Sequence, residues 1–358
     1  MRLLITGGCG FIGSAVCRHA VEKLGWTVIN VDCMTYAASE GSTAGLVDSS
    51  NYIHECVDIV DRTEMDLIFT RYRPTAAIHL AAESHVDRSI DGPMAFVRTN
   101  VNGTASLLDA AKSFLAAQSD KEQLKFRFLH VSTDEVFGSL DHDSARFTEK
   151  SPYDPSSPYS ATKASSDHLV RAYGRTYRLP VLLTNCSNNY GPFHFPEKLI
   201  PLTIIKALRG EVLPVYGNGM NVRDWLYVED HAAALCLVLQ KGAVGESYNI
   251  GGDEERTNLQ VVEAICDLLD VKAPKSGPAR RDLIRFVEDR PGHDLRYAID
   301  ASKIKQKLGW KPSVSFVDGL ERTVDWFLTN EDWWQDILDR GNYDGGRLGA
   351  TSQRVDAV

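Results

Sequence analysis

Two adjacent carboxylates follow a predicted buried strand. The stretch FRFLHV, residues 126–131, is rich in apolar and aromatic side chains, which is typical of a buried β-strand. A hydroxyl, Thr133, and two acids, Asp134 and Glu135, come directly after it in the sequence VSTDEVFG. Like charges side by side at the end of a buried strand destabilise a protein unless they have a use. These acids therefore either form a solvated surface turn or take part in proton transfer.

A tyrosine and a lysine lie four positions apart in the sequence Tyr159–Ser–Ala–Thr–Lys163. On a helix, residues i and i+4 share a face, so we expect the Lys163 ammonium near the Tyr159 phenol. Because a neighbouring cation favours the phenolate, we expect Lys163 to lower the pKa of Tyr159. Such a phenolate can take a proton from a sugar hydroxyl while the carbon gives up hydride to a nicotinamide ring. An incidental pair on a surface helix is the alternative.

A glycine-rich turn precedes the first predicted helix. The sequence LLITGGCGFIGSAVCRHAV places Gly7, Gly10 and Gly13 where a turn is tight, a pyrophosphate approaches the backbone and a helix packs closely. Asp32 ends the second predicted strand, 19 residues after Gly13. A carboxylate there accepts hydrogen bonds from the adenosine ribose and repels a 2′-phosphate, so the pattern predicts NAD rather than NADP. Turn formation alone is the alternative for the glycines.

The elements that must position these groups alternate along the first half of the chain. Predicted strands cover residues 2–6, 27–32, 76–82, 126–132 and 180–188, and predicted helices cover 14–25, 100–117 and 159–177. Strands that alternate with helices of this length predict right-handed crossovers and a parallel sheet. We therefore expect an α/β fold with a doubly wound sheet of Rossmann type.

The pattern loosens after about residue 188, where prolines and glycines occur in PFHFPEK, LPVYGNG and DRPGHD. This composition predicts a smaller, loop-rich domain, and YNIGG at 248–252 predicts a return to the main sheet. We expect a dinucleotide-binding domain of residues 1–187 and 222–252. A discontinuous substrate-binding domain of residues 188–221 and 253–340 and a tail of residues 341–358 complete the prediction.

Composition and charge exclude several classes of protein. The chain has 358 residues and a formal net charge of -9, which argues against a nucleic-acid partner or an anionic-membrane anchor. No apolar stretch approaches the roughly 20 residues that span a bilayer. The start MRLLITGG lacks the features of a signal peptide, and seven scattered cysteines fit reduced thiols, so we expect a cytoplasmic protein. No cluster has metal-ligand spacing, and we predict no metal.

The chain resembles the extended short-chain dehydrogenase/reductase superfamily and, within it, the dTDP-glucose 4,6-dehydratases. The resembling stretches are TGGCGFIGS, HLAAESHVDRSI, VSTDEVFG, PYSATKASSDHLV, NCSNNYGPFHFPEKLIPL, NVRDWLYVEDH, YNIGG and DRPGHDLRYAID. Together they cover nearly the whole chain to about residue 330. The resemblance implies a lyase that converts dTDP-glucose to dTDP-4-keto-6-deoxyglucose with a tightly bound NAD that is regenerated in every turnover.

The implied reaction explains why two acids are needed. Oxidation of the C4 hydroxyl to a ketone makes the C5 proton acidic, and elimination of the C6 hydroxyl then needs a base and an acid. The resemblance makes Glu135 the base, Asp134 the acid, and Thr133, Tyr159 and Lys163 the oxidation set. A bend after the strand end would let both acids reach one ligand. Their proximity should raise the pKa of one of them and keep a proton available.

The resemblance also implies two sets of binding residues. The NAD set is Gly7, Gly10, Phe11, Ile12, Gly13, Asp32, Cys33, Met34, Thr35, Asp58, Ile59, Leu80, Ala81, Ala82, Ser84, Thr99, Tyr159, Lys163 and Asn189. The substrate set is Ser84, Thr133, Asn188, Lys198, Leu199, Pro214, Val215, Tyr216, Arg223, Asn258, Arg290 and His293. Arg223 and Arg290 are the best candidates for binding the diphosphate, because guanidinium binds phosphate bidentately.

Three substrate residues have structural alternatives. Arg223 could form an ion pair with Asp224, and Arg290 could belong to a turn before Pro291. Asn258 could have a purely structural role at the start of a helix that Thr257 caps. The sequence also departs from the family pattern. The usual lysine after Asp32 is a cysteine, Cys33, and Phe137 replaces a common tyrosine, which leaves details of the adenosine contact open.

Other functions fit the sequence less well. A nucleotide-sugar 4-epimerase shares the glycine turn and YxxxK but has no elimination step and no use for paired acids. Mannose-type 4,6-dehydratases usually keep only the glutamate. A non-catalytic, NAD-responsive scaffold gains nothing from a costly charged cluster. UDP-glucose 4,6-dehydratase stays open, because the nucleobase pocket cannot be derived from motif spacing.

A homodimer is expected from two helices. The predicted helices at 100–117 and 159–177 carry apolar residues on more than one face, namely Leu107, Leu108, Leu115, Leu169, Val170 and Tyr173. A helix that is apolar on two faces packs on its own sheet and on something else. In the resembled family that second surface is a two-fold helical bundle.

Overall fold

The computed structural model of the protein describes residues 1–289 and 292–340. The predicted diphosphate ligand Arg290 and the predicted tail 341–358 lie outside the described residues.

The described chain contains three sheets. Their strands are β1 (Arg2–Thr6), β2 (Thr27–Val31), β3 (Tyr52–Glu55), β4 (Ala76–His79), β5 (Phe128–Thr133), β6 (Val181–Cys186), β7 (Asn188–Tyr190), β8 (Leu213–Tyr216), β9 (Val222–Tyr227), β10 (Ser247–Ile250), β11 (Glu255–Thr257) and β12 (Ile284–Val287). Seven strands form the main sheet in the order β10-β6-β5-β4-β1-β2-β3, and all of its pairs are parallel. The predicted parallel sheet of Rossmann type is confirmed.

Helices connect these strands. They are α1 (Phe11–Arg18), α2 (Arg62–Tyr72), α3 (Val86–Asp91), α4 (Pro93–Phe96), α5 (Thr104–Ala116), α6 (Asp120–Gln123), α7 (Pro158–Tyr177), α8 (Leu199–Arg209), α9 (Val228–Lys241), α10 (Asn258–Lys272), α11 (Ser302–Leu308), α12 (Phe316–Thr329) and α13 (Glu331–Asp339). Two π-helical segments, His19–Lys23 and Val97–Gly103, adjoin α1 and α5. Short 3₁₀ helices lie at Glu40–Ser42, Ala44–Leu46, Asp134–Phe137 and Arg280–Leu283.

Apolar residues on both faces of the main sheet explain why it is buried. One core joins the sheet to α1 and α9, with Val16 and Leu235 inaccessible to solvent. The other joins it to α2, α5 and α7, with Leu107 and Val170 equally buried. A sheet covered on both faces is the arrangement that parallel strands require.

Helix α7 carries the predicted Tyr159 and Lys163, and both of its ends are well defined. Ser157 caps its start: its side chain accepts a hydrogen bond from the backbone N–H of Ser160, and the two residues form a capping box. Pro158 occupies the first position of the helix. The first N–H groups of a helix have no intrahelical acceptor, so a proline there loses no hydrogen bond. The helix ends at Arg178, whose φ of +57° is left-handed.

The second half of the chain differs from the prediction in one strand. The predicted strand 180–188 is wrong as a single element, because Ser187 separates β6 from β7. Strand β7 leaves the main sheet and pairs with β9, which also pairs with β11, while β8 pairs with β12. The predicted return to the main sheet near 248–252 is confirmed, since β10 pairs with β6.

A separate apolar core supports the two small sheets. It includes Ile204 of α8, Ile265 of α10 and Phe327 of α12. The predicted two-domain division stays a prediction, and β9 of the predicted first domain belongs to a small sheet. Among residues 1–289 and 292–340, no helix has the length and apolar character needed to cross a bilayer.

Candidate active site

A cleft opens where the main strands end. Its lining includes Gly7 after β1, Asp32 after β2, Leu80 after β4, Thr133 at the end of β5 and Ser187 after β6. Its cavity volume is about 350 Å³. In open α/β sheets, ligands bind in the crevice outside the carboxyl ends of the strands, so this cleft is the expected ligand site.

Most of the predicted NAD residues line this cleft. They are Gly7, Gly10, Phe11, Ile12, Gly13, Asp32, Cys33, Thr35, Asp58, Ile59, Leu80, Ala81, Ala82, Ser84, Thr99, Tyr159, Lys163 and Asn189. Met34 lines a neighbouring pocket together with Thr35 and Arg340. The structure thus brings the predicted set to one place.

The glycine-rich turn leaves room for a diphosphate. A Cβ atom on Gly13 would lie 2.0 Å from the carbonyl oxygen of Gly7, and Gly7 itself has a left-handed φ of +77°. A Cβ atom on Gly10 would meet only that same oxygen, at 3.4 Å. Gly10 is also the residue before α1 and carries no capping side chain, and the first residues of α1 line the cleft. These features fit the pyrophosphate of a dinucleotide.

Asp32 ties the turn to the second strand. Its Oδ2 accepts a hydrogen bond from the backbone N–H of Cys9 at 2.9 Å, and its Oδ1 accepts one from Met34 at 2.9 Å. Burial raises the pKa of Asp32, and these two hydrogen bonds oppose that rise. Because a carboxylate has about four lone-pair sites, the two oxygens can still accept ribose hydroxyls.

The two acids lie in a 3₁₀ turn directly after β5. Thr133 begins this turn, and its Oγ1 accepts a hydrogen bond from the backbone N–H of Glu135 at 3.3 Å. Glu135 lines the cleft, whereas Asp134 is only 2% exposed. The backbone therefore bends past the strand end as predicted, and the alternative of two solvated acids is wrong for Asp134.

The surroundings of Asp134 favour its neutral form. Burial, and after it the charge of Glu135, raise the pKa of Asp134 well above its usual range, against the opposing charge of Arg223. Its Oδ1 accepts a hydrogen bond from the Thr133 hydroxyl at 3.3 Å, and its Oδ2 has no hydrogen-bond partner within the described residues. A raised pKa favours the protonated carboxyl, which is the form that can act as a general acid.

Tyr159 and Lys163 both line the cleft, one helical turn apart on α7. Burial and the charge of Glu135 raise the pKa of Tyr159 well above its usual range, and a hydrogen bond with Thr133 lowers it only in part. The predicted lowering of the pKa of Tyr159 is therefore wrong in its net direction, because burial and the charge of Glu135 outweigh the influences that lower it. The Lys163 ammonium instead donates a hydrogen bond to the carbonyl of Val131 at 2.8 Å.

The predicted substrate residues fall into two groups. Those that line the cleft are Ser84, Thr133, Asn188, Lys198 and Leu199. The remaining described ones, Pro214, Val215, Tyr216, Arg223, Asn258 and His293, lie outside its lining. Their role at the substrate stays a prediction.

Side-chain contacts describe this second group further. Arg223 donates to the carbonyl of Asp294 at 3.0 Å and lies over the ring of Tyr297 at 4.2 Å, whereas its predicted ion-pair partner Asp224 accepts from backbone N–H groups. Val215 is 2% exposed and belongs to the second core, so its side chain is not open to a ligand.

His293 and Asn258 have defined surroundings as well. His293 Nδ1 lies 2.6 Å from Asp289 Oδ1, and the His293 ring is perpendicular to that of Tyr216. Asn258 is the first residue of α10, and the predicted capping box of Thr257 and Gln260 is present there.

Motif analysis missed several residues at the site. Tyr297 is 3% exposed and its ring packs on the Arg223 guanidinium at 4.2 Å, while burial and then the charge of Glu135 raise its pKa. Glu197 and His194 line the cleft, and His194 stacks on Phe11 at 4.2 Å. These residues lie within the resembling stretches NCSNNYGPFHFPEKLIPL and DRPGHDLRYAID, but a stretch of sequence does not indicate which of its side chains reach the site. No group of three or more potential metal ligands occurs within residues 1–289 and 292–340.

Comparison with known proteins agrees with this geometry. A family model described as GDP-mannose 4,6 dehydratase matches residues 4–323. The dTDP-glucose 4,6-dehydratase of Neisseria meningitidis is 56% identical over 97% of this chain and 99% of its own length. The Escherichia coli protein of the same name is 54% identical over 98% of this chain and 99% of its own length.

Solved structures give the same result. The dTDP-glucose 4,6-dehydratase of Streptomyces venezuelae, solved with NAD bound, superimposes with a TM-score of 0.87 at 44% identity over 94% of this chain and 100% of its own. The UDP-glucose 4-epimerase of Thermotoga maritima superimposes with a TM-score of 0.80 at 29% identity over 92% of this chain and 100% of its own. The chain therefore belongs to the nucleotide-sugar 4,6-dehydratase family, in the group whose members are dTDP-glucose 4,6-dehydratases.

Proposed function

We propose that this protein is an NAD-dependent hydro-lyase that converts dTDP-glucose to dTDP-4-keto-6-deoxyglucose. The observation that carries the proposal is the turn of Thr133, Asp134 and Glu135, which lies at the same cleft as Tyr159 and Lys163. The names of the relatives and the NAD found in the Streptomyces structure support it. An epimerase would need the tyrosine and lysine but not a buried, neutral Asp134 beside Glu135.

The chain's own residues hold the cofactor and the sugar nucleotide. NAD, when bound, supplies reversible hydride acceptance from C4 and hydride return to C6. We assign the glycine turn to its pyrophosphate and Asp32 to its adenosine ribose. Lys198, which lines the cleft, and Arg223 are assigned to the sugar nucleotide. Ser84 and Asn188, which line the same cleft, are assigned to the hexose end.

Each proton has a stated route. Tyr159 removes the proton from the C4 hydroxyl, with Thr133 orienting that hydroxyl and the Lys163 charge favouring the phenolate. Glu135 removes the C5 proton, and Asp134 gives its proton to the C6 oxygen, which leaves as water. Glu135, which lines the cleft, exchanges this proton with solvent and then protonates C5. Tyr159 gains one proton and Asp134 loses one. Transfer of a proton from Tyr159 to Asp134 therefore restores the starting protonation states of both residues.

An isotope experiment tests this function. The protein is incubated with dTDP-glucose in deuterated water without added NAD, and the product is analysed by mass spectrometry and by its alkali-induced absorbance. We expect a 4-keto-6-deoxy sugar with one solvent deuteron at C5. An epimerised sugar, or a product with no deuterium at C5, would contradict the proposal. UDP-glucose in a parallel incubation tests the open alternative, and we expect slower conversion.

Two glycine substitutions separate folding from cofactor binding. Gly13→Ala places a methyl group against the Gly7 carbonyl, so we expect lower thermal stability and loss of NAD. Gly10→Ala meets only an ordinary contact and should fold with nearly unchanged stability, yet weaken NAD binding by about tenfold or more, since one methyl clash costs over 1 kcal/mol. Thermal unfolding and NAD content after gel filtration measure the two effects. Equal NAD content in Gly10→Ala and the parent would contradict the assignment.

We also propose a homodimer in the cytoplasm. The structure changes the basis for the dimer, because Leu107, Leu108 and Val170 are buried in the chain's own core. The apolar surface left on α7 is partly exposed Leu169 and Tyr173, followed by Tyr177, which is 52% exposed. Sedimentation equilibrium at micromolar concentration should give twice the chain mass. The single-chain mass would refute the dimer.

A further inference from the structure

A line of functional groups on α7 continues beyond the Tyr159–Lys163 pair. Asp167 and Arg171 follow at further four-residue steps, so each of these residues lies next to the preceding one along the helix surface. Asp167 is fully buried, at 0% exposure, while Arg171 is half-buried. The proposed reaction gives a role to the first two groups and none to Asp167.

Asp167 makes contacts with β5 and with the segment before α7. Its Oδ2 accepts hydrogen bonds from the hydroxyls of Ser132 and Tyr153, each at 2.8 Å. Its Oδ1 lies 3.1 Å from Nε2 of His130. These partners are hydroxyls and an imidazole, so no permanent cation touches the carboxylate in the described chain. A buried carboxylate needs a compensating charge nearby.

Lys163 is bound to the same piece of strand. Its ammonium donates to the carbonyl of Val131, which lies between His130 and Ser132. Lys163 is 5% exposed, and burial lowers its pKa, while the charge of Asp167 is the largest influence that raises it. A buried cation and a buried anion are thus held one helical turn apart against three consecutive residues of β5.

Other titratable groups around this pair contribute no second charge that could replace Asp167. Burial and the charge of Lys163 lower the pKa of His130, and burial lowers that of His79, whose ring lies 5.1 Å from it. Burial raises the pKa of the Cys186 thiol on β6 and keeps it neutral. On the outer side, Arg171 donates to the Tyr153 hydroxyl at 3.1 Å. On the cleft side stand Tyr159, Glu135 and the buried Asp134, and burial and then the charge of Glu135 raise the pKa of Tyr159.

We propose that Asp167 is a positioning residue whose carboxylate supports the Lys163 cation where it binds the Val131 carbonyl of β5. The inference rests on the proposed function, because the Lys163 cation serves the oxidation at C4. Asp167 touches neither the sugar nor the reacting atoms. It acts through Lys163, and its own position is fixed by the hydrogen bonds from Ser132 and Tyr153.

The test compares two variants of the holoenzyme. Asp167→Asn removes the charge and keeps the shape and an acceptor oxygen, whereas Tyr153→Phe removes one neutral donor to the same carboxylate and keeps the charge. Side-chain NMR follows the titration of Lys163, and the missing signal in Lys163→Arg identifies its resonance. We expect Asp167→Asn to move the Lys163 midpoint about one pH unit lower, and Tyr153→Phe to leave it in place.

The pH dependence of kcat/KM provides a second measurement. Its alkaline limb, where the lysine loses its proton, should move to lower pH by the same amount in Asp167→Asn only. If Asp167→Asn does not fold, Asp167→Ser, which is smaller and keeps an acceptor, is titrated instead. An unchanged Lys163 midpoint without the carboxylate would overturn the proposal. If the parent enzyme is inactive on dTDP-glucose, the proposed function is refuted but the role of Asp167 is not. The Lys163 titration still measures the interaction between the charges of Asp167 and Lys163, because it does not require turnover.

Discussion

Replacing Glu135 by glutamine is expected to stop the reaction between oxidation and loss of water. Glutamine has nearly the same shape but cannot take the C5 proton, whereas the oxidation at C4 uses Tyr159, Lys163 and Thr133. The bound nicotinamide should therefore still become reduced when dTDP-glucose is added, and the absorbance of the reduced cofactor should persist. Formation of the 4-keto-6-deoxy sugar should fall by about 10²- to 10⁴-fold, the usual contribution of a general base.

Rapid-mixing absorbance and product analysis on the same sample measure the two stages. Glu83 provides a matched control, because it is a partly buried glutamate that lines the same cleft and has no assigned role. Glu83→Gln should pass both stages at nearly the parent rate. If Glu135→Gln cannot reduce the cofactor at all, Glu135 belongs to the oxidation step and its assignment to the elimination is incorrect. An equal loss of product in Glu83→Gln would also contradict that assignment, because any lost charge in the cleft would then have the same effect.

The main sheet could be predicted from the sequence because its strands are short apolar runs separated by helices. The first strand, 2–6, agrees with β1 in both bounds, and the predicted helix 159–177 differs from α7 by one residue. The π-helical start at Val97–Gly103 has no signature in the apolar pattern. Pairing of β7 with β9 depends on contacts between segments more than 30 residues apart, which local patterns do not contain.

Motif spacing placed the catalytic groups but not their electrostatics. The four-residue step put Tyr159 and Lys163 on one face, and this holds in the structure. Spacing says nothing of how deeply a phenol is buried, which is why the expected shift in the pKa of Tyr159 had the wrong sign. For Asp134 the expected rise was correct in direction, yet burial rather than the neighbouring Glu135 is its larger cause. Tyr297 lies in the resembling stretch DRPGHDLRYAID, but that stretch does not indicate that its ring packs on Arg223.

Replacing Asp134 by asparagine should weaken catalysis and strengthen the fold. Asparagine keeps the size and an acceptor for the Thr133 hydroxyl but has no proton to give to the leaving C6 oxygen. We expect formation of the 4-keto-6-deoxy sugar to slow by about 10²-fold or more, with reduction of the bound cofactor retained. Loss of cofactor reduction instead of water loss would contradict the role of Asp134 as the acid.

The effect on stability depends on pH, and its sign follows from the raised pKa of Asp134. Between the unfolded value of 3.8 and the higher folded value, the folded protein binds the proton more strongly than the unfolded chain does. The free energy of unfolding therefore falls as pH rises through that window. Asparagine does not titrate, so the variant escapes this loss. Its advantage should be small near pH 4 and grow by about 1.4 kcal/mol for each pH unit until the folded pKa is reached.

Thermal unfolding of parent and variant across this pH range measures the difference. The exposed Asp141, exchanged for asparagine in the same way, should show no such growth, because an exposed carboxyl has no cost of burial. A constant difference between the Asp134 variant and the parent from acid to neutral pH would mean that Asp134 is ionised in the fold. In the proposed mechanism, burial of Asp134 has two linked effects: it lowers the stability of the fold, and it raises the pKa so that Asp134 can protonate the leaving C6 oxygen. A constant difference would mean that these two effects are not linked.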